Sequence, residues 1–443
     1  MGKSILTKIV ILFCLVIVSS CSIKKRQQLV KSSIVTDSLL NTAFVGFKLV
    51  DLDNNEILVD YNSDKFFVPA SNTKLLTMYG ALKTFGDSIP GWFIAEDNQH
   101  IFIEPNGDPT FLHSDFKEQK LFDKLRTTEK KVILILPQRN NLNRFGTGWP
   151  WASYRENYSV ERSVMPMYAN LVRFVKNVDG FRAEPSFFTD SIKNLQDDVS
   201  KEQYTTVSRD EQSNSFTFRK GETANSWTTG YTGQRNNELP YLLLKDTLSK
   251  VNPTVEVALA NERPTGVLFK EFYTVPTDEL LGIMMKRSDN FLAEQILIMV
   301  GKTKAGVVSD YLTIQDLRGS LFDGILEGSR WADGSGLSRS NLISPSEFIE
   351  LLETMYREGN TDRVWEILPS GNQGTLKGLY TGYESNISAK TGTLSDHLGL
   401  SGYLKTNKNR KLAFSFLINN HRGSANDYRK KIEEILVSYI EDK

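Results

Sequence analysis

The sequence is poor in the residues that build disulfides, metal centres and histidine-based catalytic sites. Only two cysteines occur, Cys14 and Cys21, so the rest of the chain has no thiol for a disulfide or a cysteine-based metal site. The four histidines are scattered, and neither H-E-x-x-H nor G-x-S-x-G occurs. These absences argue against a zinc peptidase and a Ser-His-Asp hydrolase.

The chain also lacks an excess of charge of either sign. It has 53 Lys and Arg residues and 53 Asp and Glu residues. Nucleic-acid-binding proteins usually carry a basic excess, so we expect no nucleic-acid partner. The length of 443 residues predicts two or three domains rather than one core.

Long hydrophobic runs are missing as well. The longest near the N-terminus, residues 9–18, is too short to span a bilayer comfortably, and it follows two lysines. It ends in Val-Ser-Ser-Cys21, which resembles a bacterial lipoprotein signal. We therefore expect a signal peptide (1–20), a lipidated Cys21, a polar tether (21–35) and a periplasmic, membrane-anchored protein. An uncleaved anchor, or a plain signal peptide with a chance cysteine, remains an alternative.

The residue patterns at both ends of the remaining chain predict β-sheet. Alternating apolar residues predict a hairpin over 43–61 and three strands over 387–418. Helical spacing predicts a terminal helix over 427–440. We expect one antiparallel sheet built from both ends of the chain and covered by that helix.

The middle of the chain contains two kinds of segment. Residues 276–356 have helical periodicity, whereas 85–265 are β-rich with a polar, loop-like stretch at 200–225. The predicted domains are a catalytic domain formed by 36–84 and 266–443, and one or two inserted domains within 85–265.

Three short motifs follow one another in a fixed order. They are Ser71-Asn-Thr-Lys74, Ser288-Asp-Asn290 and Lys390-Thr-Gly392. S-x-x-K, S-x-N and K-T-G are the parts of an acyl-transfer site with a serine nucleophile. Because they lie far apart in sequence, only the fold can bring them together.

In the first motif, Ser71 and Lys74 are three residues apart, so a helix places them on one face. A lysine can accept the serine proton only if its pKa falls, and burial or a second cation such as Lys390 would lower it. The motif alone is weak, since Ser22 and Ser114 also begin S-x-x-K segments. The alternative for Ser71 is a helix cap followed by a solvated lysine.

In the second motif, Ser288 could relay a proton to the leaving amine and Asn290 could hydrogen-bond a substrate peptide group. Ser288 lies near the junction of two predicted helices. Ser370-Gly-Asn372 also fits S-x-N, although its Pro and Gly neighbours indicate a turn. A helix cap is the alternative for Ser288.

The third motif lies on a predicted strand whose edge could align an extended peptide. Gly392 permits close approach of substrate to the backbone. Lys390 and the hydroxyls of Thr391 and Thr393 could hold a terminal carboxylate. The Thr393 N–H could join that of Ser71 in an oxyanion hole. An ordinary strand end with an exposed lysine is the alternative.

These motifs, with several shorter segments, resemble the D-alanyl-D-alanine carboxypeptidase/endopeptidase family of class C penicillin-binding proteins, of the penicillin-binding protein 4 type. The segments that carry the resemblance are residues 68–77, Gly107-Asp-Pro-Thr110, Gly148-Trp-Pro-Trp151, Ser288-Asp-Asn-Phe-Leu-Ala-Glu294, Asp333-Gly-Ser-Gly-Leu-Ser338, Ser344-Pro345, Gly374-Thr-Leu376 and Lys390-Thr-Gly-Thr393.

The resemblance implies the α/β penicillin-recognising serine transpeptidase/β-lactamase-like fold, an antiparallel sheet flanked by helices with a large β-rich insertion. It implies a serine-type D-Ala-D-Ala carboxypeptidase or DD-endopeptidase that acts on peptidoglycan stem peptides, forms an acyl-enzyme, is inhibited by β-lactams and needs no metal or cofactor. The implied residues are catalytic Ser71, Lys74, Ser288, Asn290 and Lys390, with substrate-binding Thr391, Gly392 and Thr393.

Two alternatives for function remain. One is a non-catalytic peptidoglycan-binding lipoprotein that keeps a relic of the site. The other is a serine β-lactamase, which shares the three motifs; the large insertion and the missing E-x-x-L-N segment between the second and third motifs argue against it.

Overall fold

The structure is a computed structural model that describes residues 32, 34–136, 142–177, 180–196, 206–219, 226–233 and 238–441. The predicted signal peptide (1–20), Cys21 and most of the predicted tether (21–35) lie outside the described residues. Within those ranges, no helix combines the length and the apolar character needed to cross a membrane.

The described residues form sixteen strands and nine α-helices of seven or more residues, numbered here in chain order. The strands are β1 Phe44–Asp51, β2 Glu56–Tyr61, β3 Ser88–Glu96, β4 His100–Pro105, β5 Lys131–Ile135, β6 Leu171–Asn177, β7 Gly180–Glu184, β8 Ile192–Gln196, β9 Thr206–Arg209, β10 Phe216–Arg219, β11 Ser226–Gly230, β12 Val257–Ala260, β13 Lys270–Pro276, β14 Ile387–Leu394, β15 His397–Lys405 and β16 Lys411–Asn419. The helices are α1 Lys74–Thr84, α2 Lys120–Arg126, α3 Glu238–Val251, α4 Thr277–Arg287, α5 Asn290–Ala305, α6 Asp310–Arg318, α7 Pro345–Arg357, α8 Thr361–Ile367 and α9 Ala425–Ile440.

The two ends of the chain build one antiparallel sheet in the order β14-β15-β16-β1-β2, as predicted. Apolar residues cover both faces, so the sheet is buried between two layers of helix. On one face Phe47 and Phe416 pack with Leu436 of α9. On the other, Tyr403 and Leu417 belong to the core formed with α1, α4, α5 and α7. This placement brings β14 against the start of α1.

The predicted helical region, 276–356, contains α4, α5, α6 and most of α7. Helices α4 and α5 are separated by only Ser288 and Asp289. Ser288 has left-handed backbone angles (φ 59°), which end α4 and turn the chain into α5. Asp289 then caps α5, since its carboxylate accepts the N–H of Leu292.

The β-rich segment builds a second sheet in the order β12-β5-β4-β3-β13 and two three-stranded sheets, β8-β10-β9 and β11-β6-β7. The expectation of a loop over 200–225 is wrong for β9 and β10, because Phe216 and Phe218 alternate into a buried core. Since β13 pairs with β3, we propose Pro276 rather than residue 265 as the end of the inserted segment.

A buried ion-pair cluster connects the inserted segment to the helical region. The guanidinium of Arg162 donates to the carboxylates of Glu294 on α5 and Asp310 on α6, and all three side chains are almost fully buried. Arg162 also donates to the carbonyl oxygens of Asn143 and Phe145. Removal of one partner from such a cluster leaves buried charge uncompensated.

We therefore expect Arg162→Met to lower the free energy of unfolding by about 3–5 kcal/mol. Arg126→Met, which breaks the exposed Arg126–Asp123 pair on α2, should cost less than about 1 kcal/mol. Urea unfolding of both variants measures the difference. Equal losses would contradict the structural importance of the Arg162 cluster.

Candidate active site

Ser71 and Lys74 lie at the start of the first long helix. Ser71 belongs to a 3-10 turn, Ala70–Thr73, and Lys74 is the first residue of α1. Ala70 has φ 49°, an unfavourable left-handed angle for a non-glycine residue. This turn directs both side chains to the same side, with Lys74 Nζ 3.1 Å from Ser71 Oγ.

The Lys74 ammonium is fully enclosed. Nζ lies 2.7 Å from the Asn290 side-chain oxygen and 2.7 Å from the Ser335 carbonyl oxygen. Burial lowers the pKa of Lys74 to about 8, although the negative charges of Asp333, Asp289 and Glu294 oppose this change. A lysine with this pKa has a substantial neutral fraction near neutral pH and can accept a proton from Ser71.

Both predicted side chains of the second motif, Ser288 and Asn290, contact a lysine of the other two motifs. Asn290 reaches Lys74 through Oδ1, and its amide nitrogen donates to the carbonyl oxygen of Tyr158, 3.0 Å away. Ser288 Oγ lies 2.9 Å from Lys390 Nζ. The alternative match, Ser370 to Asn372, lies elsewhere: Ser370 forms a bridge with Ser388.

Lys390 is also fully buried. Its Nζ donates to Ser288 Oγ and to the Thr391 carbonyl oxygen, 2.7 Å away. Burial, together with the positive charge of Lys74, lowers the pKa of Lys390 well below its ordinary value. The positive charge of Lys74 therefore disfavours the charged form of Lys390. The expected lowering of the Lys74 pKa by Lys390 stays a prediction, because the lowering at Lys74 comes from burial.

Strand β14 closely approaches the backbone of the turn that carries Ser71, and the closest approach is at Gly392. A Cβ atom at position 392 would lie 2.6 Å from the Pro69 carbonyl oxygen and 3.1 Å from the Ser71 nitrogen. Gly399, its partner on β15, would likewise collide with the Asn72 side chain. Positions 392 and 399 thus require glycine, because the sheet and the turn that carries Ser71 are in contact here.

Residues beyond the three motifs also enclose the site, and sequence reasoning assigned them no role. The Ser335 carbonyl oxygen accepts a hydrogen bond from Lys74, while the Ser335 N–H donates to Glu294. Glu294 lies one turn after Asn290 on α5. Burial and the negative charge of Asp333 raise the pKa of Glu294 to about 7, against the opposing effect of the Arg162 charge. The Arg162 cluster is therefore linked to Lys74 through Glu294 and Ser335.

Asp333 organises the loop that carries Ser335. Its carboxylate accepts hydrogen bonds from the Gly336 and Ser338 N–H groups, the Asn341 amide and the Trp149 indole, at 2.7–2.8 Å. Trp149 belongs to the inserted segment. The segments 333–338 and 148–151 could be recognised in the sequence, and they were the only sign of these residues. Nothing in either segment shows that the two contact each other in the fold.

A large cleft opens beside the second motif. It has a volume of about 1100 Å³ and extends from Ser288 and Asn290 to Arg173, Arg182 and Lys250 of the inserted segment. Among the described residues, no group of three or more His, Cys, Asp or Glu side chains is arranged to hold a metal ion.

This geometry combines a serine hydroxyl and an amide, both hydrogen-bonded to a lysine of lowered pKa, with a second buried lysine that donates to Ser288 and whose pKa the first lysine lowers. Such a set can perform acyl transfer through a serine nucleophile without a histidine. The sequence predicted Ser71, Lys74, Ser288, Asn290 and Lys390, and the structure brings these five together. Their individual catalytic roles remain predictions.

Comparison with known proteins identifies related carboxypeptidases. The chain is 31% identical to D-alanyl-D-alanine carboxypeptidase DacB of Haemophilus influenzae over 176 residues, which cover 38% of this chain and only 36% of that protein. It is 23% identical to penicillin-sensitive carboxypeptidase A of Dictyostelium discoideum over 446 aligned positions, covering 85% of this chain and 82% of the relative.

The solved structure of penicillin binding protein 4 (dacB) from Haemophilus influenzae has a similar fold. It superposes with a TM-score of 0.71 over 88% of this chain and 94% of that chain, at 23% identity. This confirms the predicted fold. The model of the D-Ala-D-Ala carboxypeptidase 3 (S13) family matches residues 27–439, which also confirms the predicted enzyme class. Because this match covers nearly the whole sequence, the chain belongs to the D-Ala-D-Ala carboxypeptidase 3 (S13) family.

Proposed function

We propose that this protein hydrolyses D-Ala-D-Ala bonds and peptide cross-bridges of peptidoglycan through an acyl-enzyme on Ser71. The observation that carries the proposal is the fully buried Lys74, whose Nζ lies 3.1 Å from Ser71 Oγ and whose pKa is lowered to about 8. Membership in a family of D-Ala-D-Ala carboxypeptidases supports the substrate class.

Acylation begins when neutral Lys74 takes the proton of Ser71 Oγ. The serine oxygen attacks the carbonyl carbon of the penultimate D-alanine and forms a tetrahedral oxyanion. N–H groups of Ser71 and Thr393 stabilise this oxyanion. The C–N bond then breaks, and the leaving amine receives a proton from Lys74, relayed by Ser288. A serine ester and a free terminal residue result.

Deacylation repeats the sequence with water in place of the serine. Lys74, neutral again, accepts a proton from water, and the resulting hydroxide attacks the ester carbonyl. The bond to Ser71 Oγ breaks, and the oxygen recovers its proton from Lys74. The shortened stem peptide leaves as a carboxylic acid.

β-Lactams should acylate the same serine. Their amide is strained within a ring, so attack by Ser71 opens the ring and leaves the amine attached to the bound product. The relative from Dictyostelium discoideum is described as penicillin-sensitive, which supports this expectation. Slow hydrolysis of the ester would make the drug an inhibitor, whereas fast turnover would make the protein a β-lactamase.

The cleft beside Ser288 favours cross-linked peptides as additional substrates. Its volume of about 1100 Å³ exceeds what a terminal D-alanine needs, and guanidinium, ammonium and carboxylate groups line it. A second stem peptide carries charges of both signs and could extend along this cleft. DD-endopeptidase activity is therefore proposed together with carboxypeptidase activity.

We also propose that the protein is exported and attached to a membrane through a lipid on Cys21. The support is the sequence pattern of residues 1–21 and the cell-wall substrate, which lies outside the cytoplasm. Attachment would limit the enzyme to cell wall within reach of the tether.

The proposed function predicts that fluorescent penicillin labels Ser71 and that the purified enzyme releases D-alanine from free stem peptides and separates cross-linked ones. Ser71→Ala should lose both activities and keep the fold, since Ser71 is partly exposed and its neighbours are unchanged. Mass spectrometry of the labelled peptide and chromatography of peptidoglycan fragments measure the outcome. A folded wild-type protein with no label would favour the non-catalytic alternative.

The lowered pKa of Lys74 predicts a pH dependence. Neutral Lys74 is the reactive form, so the acylation rate should rise with pH and level off above about 8. Asp289→Ala should shift the midpoint downward, because the Asp289 charge raises the pKa of Lys74. Lys74→Ala should reduce acylation about 100-fold or more, whereas Lys83→Ala, an exposed lysine on α1, should change nothing. A rate independent of pH between 6 and 9 would exclude Lys74 as the base.

Lipid attachment predicts that Cys21→Ser moves the protein from the membrane fraction to the soluble fraction without loss of penicillin labelling. Cys14→Ser, within the proposed signal peptide, is the matched control and should stay with membranes. Membrane association of Cys21→Ser after high-salt washing would support the uncleaved-anchor alternative instead.

A further inference from the structure

A short turn of the inserted segment, residues 113–116 and called the His113 turn below, contacts the second motif at both of its ends. The His113 imidazole lies against the ring of Phe291, the residue that follows the motif, with 6.4 Å between the ring centroids. The Asp115 carboxylate accepts a hydrogen bond from Arg287, the residue that precedes the motif. The conformation of this turn therefore affects where the side chains of the second motif lie.

A hydrogen bond within the turn fixes the protonation state of His113. The Asp115 N–H donates to His113 Nδ1 over 3.1 Å. A neutral imidazole has one acceptor nitrogen and one N–H, so Nδ1 is the acceptor here and Nε2 carries the proton. A second proton binds at Nδ1, where it would face the Asp115 N–H. Protonation of His113 therefore breaks this hydrogen bond.

The turn also contains the acceptor that a protonated His113 needs. Asp115 Oδ2 lies 3.7 Å from Nδ1, so a small rotation of either side chain brings the two atoms within hydrogen-bonding distance. Oδ2 is the same oxygen to which the Arg287 guanidinium donates. A charged His113 thus competes with Arg287 for one carboxylate oxygen.

The surroundings of His113 favour its neutral form near pH 7. Its side chain is only 7% exposed and packs against two aromatic rings. Burial lowers the pKa of His113 below its ordinary value of about 6.5, and the charge of Arg287 acts in the same direction, against the charges of Asp115 and Asp289. Because His113 lines the cleft beside the second motif, protons from solvent reach it. The charged form is therefore populated only in acid.

We propose that the His113 turn is a pH-sensitive clamp on the second motif. With His113 neutral, Asp115 holds Arg287, and the adjoining Ser288 is in place to relay a proton to the leaving amine. With His113 protonated, Asp115 turns to His113, Arg287 is released and the proton relay is displaced. Acid therefore slows acylation through this turn in addition to its effect on Lys74. The proposal rests on the proposed function, and it makes His113 and Asp115 positioning residues, since they act through Arg287.

The first measurement is the rate of acylation by fluorescent penicillin between about pH 4.5 and 8. His113→Asn is the informative variant, because the asparagine side-chain oxygen can accept the Asp115 N–H in place of Nδ1 but does not titrate. Dividing the wild-type rate by the His113→Asn rate removes the contribution of Lys74. Normalised to pH 8, this ratio should fall about 10-fold in acid, as a displaced catalytic group implies. His100→Asn removes an exposed histidine that pairs with Asp97 and should leave the wild-type profile unchanged.

The second measurement, NMR of the same proteins, tests the exchange of partners without relying on catalysis. The His113 ring nitrogens report the second proton, and the Arg287 guanidinium reports release from Asp115. Both signals should change with one midpoint below about pH 6.5, and the rate ratio should share that midpoint. In His113→Asn the Arg287 signal should stay constant. Arg287→Met imitates the acid state, so it should acylate about 10-fold more slowly at pH 8 and lose no more in acid than His113→Asn does.

The outcomes separate two failures. If wild-type protein is not acylated at any pH, the proposed function is wrong, and the effect of the turn on acylation is wrong with it. If acylation occurs but the rate ratio is constant down to pH 4.5, the clamp is overturned and the proposed function stands. An Arg287 signal that does not follow His113 in wild-type protein also overturns the clamp, and this result does not depend on whether His113→Asn folds.

Discussion

Removal of the Lys74 ammonium from water is the constraint on which the rest of the site depends. A fully buried ammonium is costly unless it is hydrogen-bonded, and the chain surrounds Nζ with three oxygen atoms, from Ser71, Asn290 and Ser335. Burial also lowers the pKa of this lysine to about 8, which its proposed role as a base requires. Stability thus requires hydrogen bonds that favour the charged form of Nζ, whereas the proposed reactivity requires its neutral form.

The inserted segment helps to hold the groups that surround Lys74. Arg162 compensates the buried charge of Glu294, whose carboxylate holds the Ser335 N–H, and Ser335 in turn holds Lys74. Trp149 donates to Asp333, which fixes the loop around Ser335. The insertion therefore contacts the residues around Lys74 directly, and charged groups of the insertion belong to its surroundings.

The sequence predicted the features that depend on local pattern. Alternation revealed the sheet built from both chain ends, and helical spacing revealed α1 and α9. The three motifs predicted Ser71, Lys74, Ser288, Asn290 and Lys390 as site residues, and the fold brings these five together. Contacts over long sequence separations were missed: Ser335 with Lys74, Trp149 with Asp333, and Arg429 with Thr393. No periodicity encodes such pairs, since only tertiary packing decides which loops meet. The short strands β9 and β10 were missed because their polar surroundings resemble a loop.

The most direct measurement is a titration of Lys74 itself. NMR of protein labelled with 13C at the lysine ε-carbon, with the Lys74 signal assigned by its absence in Lys74→Arg, follows its protonation. We expect Lys74 to titrate near pH 8, well below the ordinary lysine pKa of about 10.4. A Lys74 signal that titrates only near about pH 10.4, the ordinary value for a lysine side chain, would contradict the proposed role of Lys74.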